Sequence, residues 1–212
     1  MTGPSFVAIE GPIGVGKTTL AQRLAKDLQA ALILEEPDEN PFLERFYLQP
    51  REYALSTQLF FLMQRAKQLS DLRQTDLFDQ VHVSDFLIDK DRLFAQLTLD
   101  GDEYRLYEQI YRHVIAEIRD PDIVVYLQAP VTVLLERIAA RGIKYEQTID
   151  EKYLELLADG YRRHFQSYER GALVVVDAAE FDLVHNDGHY NELVQWIIGP
   201  TSDRHYIGSG KL

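Results

Sequence analysis

The residues Gly11-Pro-Ile-Gly-Val-Gly16-Lys17-Thr18 satisfy the pattern G-x4-G-K-[ST], whose spacing suits it to cradle a nucleoside triphosphate. Gly14 and Gly16 let the backbone curl its amides toward phosphate oxygens, and the helix expected over Leu20–Leu28 adds unpaired N–H groups at its positive end. Lys17 is spaced to bridge the β- and γ-phosphates, and Thr18 to ligate Mg2+. Gly11, Gly14, Val15, Gly16, Lys17, Thr18 and Thr19 are therefore the expected ATP-binding set. A glycine-rich turn could match by chance, but strand, loop, lysine, hydroxyl and helix coincide here. The motif establishes phosphate chemistry and leaves the acceptor open, since a GTPase, an ATPase motor or a small-molecule kinase could all begin this way.

Three further segments bear on the acceptor. Glu35-Glu36-Pro37 follows a short apolar run, and the proline halts it so that Glu36 stands at the carboxyl edge of a sheet, able to accept a hydroxyl proton. A solvated acidic turn is the bland alternative. Asn40-Pro-Phe-Leu-Glu-Arg-Phe-Tyr47 then leads into a long helical stretch holding Gln58, Phe61 and Arg65. Gln58 and Arg65 are two turns apart, roughly 10 Å along the axis, with Phe61 between them. An amide, a ring and a guanidinium in a row can read and stack a nucleobase, although such a row also occurs on an ordinary helix rim. Arg137 and Arg141, four apart near the end of the helix Val131–Ala140, share a face; a bound polyphosphate would relieve their repulsion, while a helix C-terminus favours arginines for its dipole alone.

The elements that must position these groups read as alternating strands and helices around a parallel sheet. Candidate strands are Phe6–Glu10, Ala31–Glu35, Val81–Asp85, Ile123–Gln128 and Leu173–Asp177, and Leu55, Leu59, Leu62, Ala66 and Leu69 form one core-facing stripe of the long helix. With 212 residues and 46% hydrophobic content the chain can bury one substantial core. A formal charge of −12 argues against a nucleic-acid polymer as partner, and the absence of cysteine excludes disulfides, thiolate metal sites and a cysteine nucleophile. The N-terminal segment reads as neither signal peptide nor membrane span, so a cytoplasmic protein without membrane partners is expected. Residues 199–212, rich in glycine, read as a tail.

From Phe6 to Asp177 the chain resembles the deoxynucleoside kinase family, particularly its bacterial deoxyadenosine and deoxyguanosine kinase-like members, through the phosphate loop, Glu36-Pro37, Asn40 to Tyr47, Gln58 and the segment Arg137 to Glu146. The resemblance implies a P-loop NTP hydrolase fold, a three-layer α/β/α sandwich about a five-stranded parallel sheet, in a kinase domain over residues 1–198 with a lid near 137–148. It implies transfer of the γ-phosphate of ATP, with Mg2+, to the 5′-hydroxyl of a deoxynucleoside, purine preferred, in a homodimer. Glu36 resembles the general base, and Lys17, Arg137 and Arg141 the groups that meet the transferring phosphoryl. Gln58 resembles the residue that hydrogen-bonds the base, with Arg65 helping to select it and Phe61 and Phe94 beside it. Tyr47 and Glu146 resemble the residues that hold the sugar 3′-hydroxyl.

The chain departs from the family pattern in two places. Ile143 stands where many members carry a further lid arginine, leaving Lys144 nearby. After the third strand the family shows an acidic residue followed by Arg-Ser, whereas this chain reads Ser84-Asp85-Phe86; Asp85 can serve as the acidic member toward Mg2+ with Thr18, and Lys90 or Arg92 can fill the missing charge. The alternatives are a nucleoside monophosphate kinase such as thymidylate kinase, or a nucleotide-binding subunit of weakened catalysis. His185 and His189 are spaced like metal ligands, but Asn186-Asp187-Gly188 between them signals a turn. Tyr104, Tyr107 and Tyr111 fall at helical spacing suited to core or subunit packing, and Gly208-Ser-Gly-Lys211 imitates a phosphate loop without its strand or helix.

Overall fold

The structure, a computed structural model, describes residues 3–75, 81–199 and 204–209. Strands β1 (Phe6–Glu10), β2 (Ala31–Ile33), β3 (His82–Ser84), β4 (Ile123–Gln128), β5 (Ala172–Asp177) and β6 (Arg204–Ile207) form one sheet in the order β2-β3-β1-β4-β5-β6. Every pairing is parallel. The sheet thus has six strands and not five, because part of the expected tail is β6, in register with β5 from Leu173↔Arg204 to Val176↔Ile207. Glycines flanking this short run hide it from composition, yet Ile207 is buried and Arg204 donates to the carbonyls of Phe165 (2.8 Å) and Tyr168 (3.2 Å).

Alternation along the strands divides the core into two sides of the sheet. Val7, Ile9, Val125, Val174 and Val176 pack against α1 (Lys17–Asp27) and α8 (Asp187–Ile198). Ala8, Val124, Tyr126, Leu173 and Val175 face the other way, against α4 (Lys90–Thr98) and α7 (Glu151–Gln166). Tyr126 stacks on Phe165 with ring centroids 4.3 Å apart, a contact that adds about 0.5–1.5 kcal/mol beyond its burial. Helices on both faces of a parallel sheet make the three-layer α/β/α sandwich.

The long helix α3 (Pro50–Thr75) buries two stripes. Leu55, Leu59, Leu62 and Leu69 join Tyr107 and Tyr111 of α5 (Gly101–Val114) in a third cluster. Ala54, Thr57, Gln58, Phe61 and Arg65 are buried on a neighbouring stripe. The α5 tyrosines at 107 and 111 are therefore core residues, and they give no exposed surface for a second subunit. Asp100 caps α5, accepting from the amides of Asp102 and Glu103 at 3.0 Å while Glu103 reaches back to the Asp100 amide. Asn186 caps α8 by accepting from the amides of Gly188 and His189, which puts His185 outside that helix and separates it from the histidine at position 189.

The chain runs from β1 to β2 on one side of β1, returns through β3, and then crosses to β4 on the other side. Such a reversal opens a crevice at the carboxyl ends of the strands, and it falls where the phosphate loop leaves β1.

Candidate active site

The phosphate loop hangs between β1 and α1. Gly16 caps α1 in a left-handed conformation (φ 106°), and Gly14 (φ 84°) lies so close to α6 (Val131–Arg141) that an added Cβ would stand 2.9 Å from the Leu134 carbonyl oxygen and 2.8 Å from Ile138. Gly14→Ala is therefore expected to destabilise the fold by about 1–3 kcal/mol and to weaken ATP binding, measured by thermal unfolding and by titration with ATP. Lys17 folds over its own loop, its Nζ donating to the carbonyls of Gly11 (2.8 Å) and Pro12 (3.1 Å). Burial, then the neighbouring Lys90 cation, pulls its pKa down to about 8.

Glu10, at the end of β1, is fully buried and holds three elements together. One oxygen accepts from the Gly11 amide (2.9 Å) and the Tyr161 hydroxyl (3.0 Å), the other from the Leu87 amide (2.6 Å). The loop, α7 and the segment entering α4 are thereby fixed relative to one another. Asp85 does similar work at the end of β3, accepting from the Thr18 hydroxyl at 2.5 Å and from the Glu35 amide at 2.8 Å.

That last bond sets where the paired glutamates stand. The strand ends at Ile33, two residues sooner than expected, and Glu35, anchored by its amide to Asp85, projects into the cleft. Glu36 begins the 3-10 turn Pro37–Glu39; its side chain is exposed, and its carbonyl accepts from Gln64 (3.1 Å). Glu35 lines the cleft with Asp85 and Glu146, and Glu36 is exposed between Glu35 and the cleft residue Pro37. Each Glu35 oxygen meets one cation: Oε1 pairs with Arg65, and Oε2 lies 2.9 Å from Lys90 Nζ. Arg65 also pairs with the fully buried Asp91. Desolvation, then the Arg65 charge, brings the Lys90 ammonium down to about 8, and desolvation brings Arg65 down to about 10.

The remaining cleft wall comes from α2 (Leu43–Leu48), α3 and the lid. Gln58 and Phe61 line it with Arg65, as their spacing predicts, and the guanidinium of Arg65 sits over the Phe61 ring at 4.6 Å. Thr57 joins them; its hydroxyl and Arg65 Nε are buried with no hydrogen-bond partner among the described residues. Buried polar atoms are rarely left so, which marks this stretch as poised for a polar ligand. Tyr47 stacks on Tyr145 (5.6 Å), and burial pushes its hydroxyl pKa well up. Phe94 meets Tyr161 edge to face at 6.3 Å, and Tyr153 and Tyr161, missed by sequence reasoning, also face the cleft.

The two lid arginines part company. Arg141 lines the cleft and pairs with the nearly buried Glu146 of the 3-10 turn Lys144–Thr148. Arg137, expected beside it, is not among the cleft residues: it donates to the carbonyls of Val15 (3.0 Å) and Ala178 (2.7 Å). Four residues back along α6 is about 6 Å down the axis, so its guanidinium reaches the flank of the phosphate loop and not the cleft. Arg137 ties α6 to the loop and to the turn after β5.

Thr18 and Asp85 offer a hydroxyl and a carboxylate oxygen already in contact, a donor set suited to a hard cation that takes its other ligands from phosphates and water.

The family model described as deoxynucleoside kinase matches residues 7–198. A deoxyguanosine kinase of Bacillus subtilis (strain 168) is 33% identical over 202 residues, covering 93% of this chain and 98% of its own length. A deoxyadenosine/deoxycytidine kinase of the same organism is 27% identical over 209 residues, 94% of each chain. Among solved structures, deoxyadenosine kinase from M. mycoides with bound dATP superposes with a TM-score of 0.77 at 27% identity, over 90% of this chain and 97% of that one. With the phosphate loop, the cleft carboxylates and the Gln58 stripe converging at one sheet edge, the match over nearly the whole length has one meaning: the chain belongs to the deoxynucleoside kinase family.

Proposed function

We propose that this chain transfers the γ-phosphate of ATP to the 5′-hydroxyl of a purine deoxynucleoside, with Glu36, the glutamate before Pro37, turning toward the cleft to accept the hydroxyl proton. The observation that carries the reading is the shared cleft, lined at one end by Lys17 and Thr18 and at the other by Gln58 and Phe61, with Glu35 between. The Gln58 amide pairs with the base, and the unsatisfied Thr57 hydroxyl and Arg65 Nε offer it further polar contacts. Phe61 or Phe94 stacks on it, and Tyr47 and Glu146 bind the sugar 3′-hydroxyl. Lys17 moves from its loop carbonyls onto the β- and γ-phosphates, and Arg141 leaves Glu146 for the transferring phosphoryl group. Mg2+, held by Thr18 and Asp85, would neutralise charge on the phosphate oxygens. The purine preference is supported by relatives named for deoxyguanosine and deoxyadenosine.

An acceptor that already bears a phosphate would need uncompensated positive charge at this end of the cleft. Arg65 and Lys90 are matched there by Glu35 and Asp91, so a monophosphate acceptor gains nothing. A homodimer, which the resemblance implies, and a cytoplasmic location with its supply of ATP complete the reading; no helix among the described residues is long and apolar enough to cross a membrane. Sedimentation checks the dimer. The function is tested by incubating the protein with labelled ATP, Mg2+ and each of the four deoxynucleosides, with the monophosphates in parallel. A 5′-monophosphate product, fastest from deoxyguanosine or deoxyadenosine, is expected. Diphosphate formed from a monophosphate acceptor, or no product at all, would overturn the reading.

A further inference from the structure

We infer that the Thr57 hydroxyl accepts a hydrogen bond from the 2-amino group of a guanine base, and so sets a preference for deoxyguanosine over purine deoxynucleosides that lack that group. The inference rests on the proposed function, in which the Gln58 amide pairs with the base.

Thr57 belongs to α3, is only 1% exposed, and lines the cleft beside Gln58 and one turn before Phe61. A threonine inside a helix ordinarily satisfies its hydroxyl on a carbonyl three or four residues back. Here Oγ1 makes no such bond and has no partner among the described residues. Leu43, Phe46 and Phe61, which line the cleft with it, belong to one apolar cluster and have no side-chain polar atom to offer. The backbone beneath the hydroxyl is fixed: Asn40 donates from Nδ2 to the Thr57 carbonyl at 3.2 Å, while its Oδ1 accepts from the Phe42 amide at 3.1 Å.

Buried hydroxyls are rarely left unpaired, so the partner of this one belongs to what fills the cleft. A water there is displaced when a base enters, and the hydroxyl then bonds the base or loses its bond. Purines differ in what they offer along the edge that a glutamine reads. Guanine presents three polar groups in a row, O6, N1–H and the 2-amino group; adenine presents two, the 6-amino group and N1. A glutamine amide brings one acceptor and one donor face, enough for two adjacent groups on either base. On adenine the next position is an apolar C2–H, which leaves a third polar group of the protein unpaired. On guanine it is an N–H donor, and the hydroxyl next to Gln58 in the chain is an acceptor without a donor.

Deoxyinosine keeps O6 and N1–H and lacks only the 2-amino group, which makes it the discriminating substrate. In the unsubstituted protein kcat/KM for deoxyguanosine is expected to exceed that for deoxyinosine by about 10- to 100-fold, the cost of leaving one buried polar group unpaired. Thr57→Val, which keeps the shape and removes the hydroxyl, should lower kcat/KM for deoxyguanosine by a similar factor and leave deoxyinosine and deoxyadenosine nearly unchanged. Thr57→Ser should retain the preference. Thermal unfolding and ATP titration of each variant verify that the fold is kept.

Equal kcat/KM on deoxyguanosine and deoxyinosine, or equal losses on the two in Thr57→Val, would overturn the inference while leaving the kinase reading standing. No 5′-monophosphate from any deoxynucleoside would overturn the proposed function on which it rests.

Discussion

Glu36→Gln is expected to lower kcat by about 10²- to 10⁴-fold, the range that a general base contributes, with deoxynucleoside affinity nearly unchanged. Glutamine keeps the shape, so binding geometry survives while proton acceptance does not. The neighbouring substitution is the comparison. Glu35→Gln removes the charge that pairs with the buried Arg65 and Lys90, so its main loss is expected in stability, as when one partner of a buried ion pair is removed. Steady-state kinetics and thermal unfolding on the two variants separate the adjacent glutamates directly. An unchanged kcat in Glu36→Gln would overturn its assignment as the base.

The second large effect is expected at Lys17. Lys17→Met should cost about 10²- to 10³-fold in kcat, on the scale of removing one preorganised donor from a developing anion, and should weaken ATP binding too. The ammonium is held over the loop by the Gly11 and Pro12 carbonyls, so it is stored where the phosphates will lie. Arginine should not rescue it, because a planar fork cannot occupy a cradle built for a point charge. Calorimetric titration with ATP and single-turnover rates distinguish the binding loss from the chemical one.

These expectations show which parts of the site were legible in the residues. The phosphate loop was, because its function is written in local backbone chemistry and needs no distant partner. The Gln58–Phe61–Arg65 stripe was legible from helical period. The setting of Glu35 was not, because its partners Arg65 and Lys90 come from two distant helices. Arg137 and Arg141 share a helix face, as read, but periodicity does not say how far each stands from the cleft mouth. Asp91, Tyr153 and Tyr161 could not be placed from sequence alone, because each acquires its role from tertiary neighbours more than 25 positions away or from a core it helps to build.

The sheet was legible in five of its strands through their β-branched runs, and the sixth was lost among glycines. That small strand has a consequence for how the protein behaves in a crowded solution. Without β6, the valine-rich strand β5, Ala172–Asp177, would end the sheet, presenting a row of unsatisfied N–H and C=O groups to any passing extended chain. β6 occupies that row, and it is secured by Arg204 and by the stacking of Trp196 on His205. The edge that remains is β6 itself, four residues long where β5 would have offered six, so the row open to fibre-like association is shortened.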